Sequence, residues 1–283
     1  MNDILRDRFD DLSARVEDAM AEVKPRLRGW LHLAIAPLAL AAGIVLVALS
    51  PDATTRTGSA VFAATALVLF TVSAIYHRGN WSPTVHARLR RFDHSNIFLL
   101  IAGSCTPFAL LLLNGKDRWT MLVIVWTGAI GGVLMKVLWS GAPRWLSAPI
   151  YIALGWAPVF FFGDFVTGAM DRYGASTGTA VIALVAVGGG LYTIGGVVYG
   201  IKRPNPWPRW FGFHEVFHTF TILAFVSHYV GVSLATYSLR RIPVRGTQPR
   251  VNQAKTASDA NPTVTASARA NLGARRETRS RSW

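Results

Sequence analysis

Cysteine is nearly absent from this 283-residue chain, where Cys105 stands alone. A disulfide framework within the chain is excluded, and so is a structural zinc site built on several thiolates. Acidic residues are also scarce: 15 Asp and Glu face 29 Lys and Arg, for a net charge of +14. Two stretches, residues 30–50 and 119–135, contain no Asp, Glu, Lys or Arg at all. Apolar runs of about 18 residues or more without charge indicate membrane-crossing helices rather than a soluble core. Most of the basic excess lies in loops beside these runs and in the C-terminal tail. Anionic lipid and the positive-inside bias account for that placement, so no nucleic-acid partner is expected.

What is present has the pattern of an all-α integral membrane protein. Residues 1–29 form a cytoplasmic amphipathic segment, with Leu5, Phe9, Leu12, Val16 and Met20 recurring at spacings of three and four. Asn2 or Asp3 is placed to cap it. Charges of both signs there argue against a cleavable signal peptide. Residues 30–236 read as a seven-transmembrane helix bundle, with spans at about 30–50, 59–77, 95–114, 119–139, 147–165, 178–199 and 214–236. Residues 237–283 form a basic tail too poor in apolar periodicity to bury a core, and are expected to be disordered. Eleven bases (Lys24, Arg26, Arg28, Arg78, Arg88, Arg90, Arg91, Arg144, Lys202, Arg203 and Arg209) fall on the N-terminal side. Four (Arg56, Lys116, Arg118 and Arg172) fall opposite. The positive-inside rule then puts the N-terminus in the cytoplasm and the C-terminus outside.

The last span opens with His214-Glu-Val-Phe-His218. Residues four apart lie one turn apart on one helix face, so two imidazoles can reach one metal ion. His77 ends the second span on the same side of the membrane, and Asp93 begins the third. His77, His214 and His218 give three neutral nitrogen donors with one tetrahedral position left, the pattern of a catalytic Zn2+. Asp93 is placed to hold or deprotonate a water at the metal. Ser73, one turn before His77, is placed to face a substrate carbonyl or oxyanion. Plain structural roles compete: an interfacial His77, a loop salt bridge for Asp93, and a backbone hydrogen bond for Ser73. His94 is placed as a neighbour of Asp93, His86 falls in a loop and His32 in the first span. His228, about 21 Å along the helix from His214, is expected to form a buried hydrogen bond.

The motifs Ser73-x-x-x-His77, Arg91-Phe-Asp93-His-Ser-Asn-Ile-Phe-Leu-Leu-Ile-Ala-Gly-Ser-Cys-Thr-Pro-Phe108 and His214-Glu-Val-Phe-His218 together resemble the haemolysin III family. That family is the bacterial branch of the progestin-and-adipoQ receptor superfamily. The resemblance covers about residues 25–236. It implies a seven-helix bundle with the N-terminus inside, a bacterial plasma membrane, and zinc on His77, His214 and His218. It further implies that Asp93 acts through water and that Ser73 lines the site.

Several functions fit these residues. The first is a zinc-dependent hydrolase of a lipid amide or ester, active in membrane lipid homeostasis, with membrane lipids as partners. A lipid-responsive receptor or sensor with structural zinc fits the same histidines. A pore-forming cytolysin carries the family name, although spans one, four and six offer few polar residues to line a pore. The literal H-E-x-x-H string also matches metalloproteases, in which the glutamate is the base. Sequence leaves the oligomeric state open.

Overall fold

The computed structural model describes residues 25–139 and 141–241. The amphipathic helix expected over residues 2–24 and the tail beyond Arg241 lie outside these residues. The described chain is all-α. It contains α1 (Trp30–Ala48), α2 (Ala53–Arg78), α3 (Pro83–Leu112), α4 (Gly115–Leu138), α5 (Arg144–Gly155), a 3₁₀ turn (Ala157–Phe161), α6 (Phe162–Ile201) and α7 (Phe213–Ser238). A short 3₁₀ turn, Leu239–Arg241, follows α7.

Local sequence explains where these helices start. Asp52 accepts from the Thr55 amide at 2.9 Å while Thr55 Oγ1 accepts from the Asp52 amide, a reciprocal cap that opens α2. Ser82 caps α3, with Pro83 in its first turn, where a missing N–H costs nothing. That cap starts the helix ahead of the expected third span. The helix begins twelve residues before residue 95, because the Arg- and Ala-containing stretch after Pro83 has no breaker, although it is too polar for the bilayer core. His86, expected in a loop, therefore lies on a helix. Asp93 lies in the third turn of α3 rather than at its beginning.

Among the described residues, six segments are long and apolar enough to cross a membrane, and one of them, Arg144–Ile201, runs 58 residues. As one straight helix it would span about 87 Å, nearly three times a hydrocarbon core. It is not straight. Gly174 leaves helical geometry with φ 75° and ψ 171°, a conformation open to glycine at little cost. On either side of it, Gly178 packs on the Ala169 carbonyl, Gly196 on Ile152 and Gly200 on Ala148. Trp156 Nε1 donates to Thr193 Oγ1 at 3.1 Å. The members of each pair are equally distant from residue 174 to within one residue, so the chain doubles back there as an antiparallel helical hairpin. Proline shapes its first arm, with Pro149 inside α5 and Pro158 in the 3₁₀ turn.

Successive helices pack side by side from α1 to α4, and the returning arm of α6 packs along α7. In turn, α7 touches α1, α2 and α3. The centre is α3, with 72% of its most apolar window buried against 22% in α1 and 28% in α4. Outward faces carry Leu38, Ile44, Val123 and Phe160, each at least 60% exposed, as suits helices surrounded by lipid. Buried stripes follow helical periodicity. In α2 one runs through Thr55, Ser59, Phe62, Ala66, Leu69, Ser73 and His77. In α7 another runs through His214, His218, Thr221, Phe225, His228 and Val232. The polar ends of these two stripes meet.

Candidate metal centre

The meeting point brings together all five residues that the sequence singles out. The last two turns of α2 carry Ser73 and His77, the first turns of α7 carry His214 and His218, and α3 carries Asp93. All five are buried, none more than 8% exposed. His214 Nε2 and His77 Nε2 lie 3.1 Å apart, and one ligand nitrogen from each of the three histidines falls within 4.8 Å of the others. Four ligands around a tetrahedral zinc at 2.0–2.1 Å sit about 3.3 Å from one another, so this cluster is close to the required size. Its donor chemistry also fits, because neutral imidazole is a borderline-soft donor well suited to zinc. His218 Nδ1 is a buried polar atom with no hydrogen-bond partner among the described residues. These residues therefore fit a metal ion.

Asp93 Oδ2 stands 3.8 Å from His77 Nε2. That exceeds a hydrogen bond, and a single bridging oxygen can span it. The Ser73 hydroxyl hydrogen-bonds the same carboxylate. Asp93 is thus tied to both ends of one helical turn of α2.

Glu215, inside the H-E-x-x-H string, is fully buried and already engaged. Its Oε2 accepts from the Gly212 amide at 2.8 Å, and its Oε1 pairs with Arg28 Nε at 3.0 Å. It closes the N-terminus of α7, where a negative charge complements the helix dipole. It also pins α7 to the segment before α1. That segment is held again by the Arg26 and Leu27 amides donating to the Arg209 and Trp210 carbonyls. The glutamate serves the fold, which argues against the protease reading. His94 does not bond Asp93: its Nδ1 meets the Arg90 carbonyl at 2.8 Å. His228 has the buried role expected of it, with Nε2 3.3 Å from the Val185 carbonyl.

Sequence reasoning leaves His32 without a role. Its ring stacks on His218 with centroids 3.8 Å apart and planes 15° apart, and neither ring nitrogen has a hydrogen-bond partner among the described residues. The available signal is a single imidazole within an otherwise charge-free run.

Gly29 also bears on the centre. It adopts φ +82°, and a Cβ built there would lie 2.8 Å from His77 Cβ. Gly29→Ala therefore both strains the backbone and pushes His77, and metal affinity of the cluster should fall on the order of 10- to 100-fold, as when a ligand's support is lost. A competition titration against a chromophoric chelator measures this. Gly115→Ala is the control, because Gly115 has φ +50° with nothing within 4 Å. An unchanged affinity in Gly29→Ala would contradict this positioning role.

Several known proteins resemble this chain. The chain is 32% identical over 162 residues to the hemolysin-3 homolog of Bacillus subtilis (strain 168), covering 57% of this chain and 69% of the relative. It is 32% identical over 162 residues to hemolysin-3 of Bacillus cereus, covering 57% and 67%. It is 23% identical over 207 residues to the monocyte to macrophage differentiation factor of Homo sapiens, covering 72% and 80%. The pattern of the family described as Haemolysin-III related matches residues 20–229, a span that includes every residue of the centre. With that match extending over most of its length, the chain belongs to the haemolysin-III-related family of multi-pass membrane proteins.

Proposed function

We propose that this protein is a zinc-dependent integral membrane hydrolase of a lipid amide or ester, acting in membrane lipid homeostasis. One observation carries the reading: three buried imidazoles converge on a point, with a carboxylate from a third helix 3.8 Å from one of them. Three histidine donors leave one position of a tetrahedral site to water, and the carboxylate beside them is placed to take that water's proton. His77, His214 and His218 hold the metal, which when bound polarises a carbonyl and acidifies water. Asp93 orients the attacking water, takes its proton and passes it to the departing amine or alcohol. Ser73 holds the Asp93 carboxylate with its one O–H, which is free to turn to charge developing on the carbonyl oxygen once Asp93 has taken the water's proton. Packing around the centre keeps bulk water away.

The doubling back at Gly174 supports seven membrane crossings, and the distribution of bases supports a cytoplasmic N-terminus and an external C-terminus in a bacterial plasma membrane. The histidine cluster then lies toward the cytoplasmic leaflet, and lipid reaches it between helices.

A second reading, a lipid-responsive receptor with structural zinc, draws support from the low exposure of all three imidazoles. The pore reading draws support only from the names of the Bacillus relatives. A panel of fluorogenic ceramide-type amides and glycerol esters, given to zinc-loaded protein in detergent, decides between these readings. Chelator-sensitive release of fatty acid is the expected result. No turnover of any amide or ester by folded, zinc-loaded protein would remove the hydrolase reading and leave the receptor.

A further inference from the structure

Beside the histidines, on the same end of the bundle, lies a group of cations with no acidic partner among the described residues. Lys136, in the last turns of α4, is only 6% exposed. Its ammonium has three N–H donors, and its one hydrogen-bonding partner among the described residues is the Ser147 hydroxyl, which itself donates to the Pro143 carbonyl. Arg90 and Arg144 bear electrostatically on Lys136 and on His94. Among the described residues the ion pairs are Arg28–Glu215 and His77–Asp93, so no carboxylate pairs with Arg90, Lys136 or Arg144.

The positive-inside bias explains basic loops in water. It does not explain a lysine buried between apolar helices with two cationic neighbours, where an uncompensated charge is costly. Arg144 is also the first residue of α5, a helix without a side-chain cap, so its guanidinium stands at the positive end of a helix dipole.

The position is as informative as the charge. The Arg144 guanidinium lies 5.4 Å from the Tyr199 ring centre and 5.6 Å from that of Phe213. Tyr199 in turn sits 6.5 Å from the His214 ring and 6.1 Å from the His94 ring. Tyr151 Oη donates to the His94 carbonyl at 3.0 Å and joins α5 to α3 at this point. Tyr199 thus lies between Arg144 and His214 of the metal centre.

We propose that Arg90, Lys136 and Arg144 form a binding site for a phosphate group carried by a lipid headgroup. Guanidinium forks and a buried ammonium suit phosphate oxygens, and basic pockets between membrane helices recognise anionic headgroups. This site deepens the hydrolase reading by assigning its substrate to phosphate-bearing lipids, and it depends on that reading for turnover but not for binding.

The test uses the full chain in neutral detergent, titrated with dioctanoyl phosphatidic acid, dioctanoylglycerol and inorganic phosphate, with binding measured by native mass spectrometry. Wild type should bind the phosphatidic acid at least about tenfold more tightly than the phosphate-free lipid, and Lys136→Gln and Arg144→Gln should each lose about that factor. Zinc content should stay that of wild type in both variants. Inorganic phosphate should compete weakly; if it binds as tightly as the lipid, the ligand is a soluble phosphate and the lipid source is overturned. Equal binding of the two lipids, or binding unchanged in the variants, overturns the site. Should Lys136→Gln fail to fold, Arg90→Gln and Arg144→Gln decide the matter, since both side chains are exposed. Binding is read without turnover, so the two readings fail separately. Protein that binds phosphatidic acid but hydrolyses nothing keeps this site, and protein that hydrolyses neutral amides without binding phosphatidic acid loses it.

Discussion

Asp93→Asn should abolish most lipid hydrolysis, by roughly 10²- to 10⁴-fold in kcat, the usual contribution of a positioned general base. Asparagine keeps the shape of the side chain and can still accept a hydrogen bond, but it cannot take a proton. Because Asp93 reaches the centre from α3 while the three nitrogen donors come from α2 and α7, the metal content should not change. Steady-state hydrolysis beside elemental analysis of the same preparation separates the two effects. Loss of zinc together with activity would make Asp93 a ligand rather than a base. Full activity without the carboxylate would remove it from the mechanism.

Removing the metal should be the larger event for stability. Without an ion the cluster is three buried imidazoles, two of them with ring nitrogens 3.1 Å apart. A ligand that binds only the folded state, present at about a thousand times its dissociation constant, stabilises by about 4 kcal/mol. For a chain of this size that corresponds to a shift in unfolding temperature on the order of 10 °C. A chelator should lower the unfolding temperature of wild type by that amount, and zinc addition should restore it. His218→Ala should start near the lower value and ignore both reagents. A wild type indifferent to chelator would show that the histidines fold without an ion.

The histidine pair of α7 is legible because helix spacing alone puts residues 214 and 218 on one face. His77 is legible from a weaker argument, that its span ends on the same side of the membrane at the same depth. Asp93 is legible as a residue but not in its setting. Hydropathy detects where the bilayer core begins, near residue 95, whereas the helix begins at the Ser82–Pro83 cap. The reversal at Gly174 falls inside the expected interval between residues 165 and 178, although nothing in the local sequence marks that glycine as the turning point.

Other features are tertiary and leave little trace in the sequence. His32 stands alone in an apolar run, and only the packing of α1 on α7 stacks it on His218. The Lys136–Ser147 contact joins residues from different helices. Glu215 has the look of a protease base in its string, and its engagement by Arg28, 187 positions earlier, emerges only once the chain is folded.

The most direct test of the metal centre is the zinc content of purified full-length protein beside a His214→Ala/His218→Ala double variant. One zinc per chain is expected in wild type and none in the variant. A folded wild type without zinc, or a double variant that keeps it, would contradict a zinc site on these three histidines.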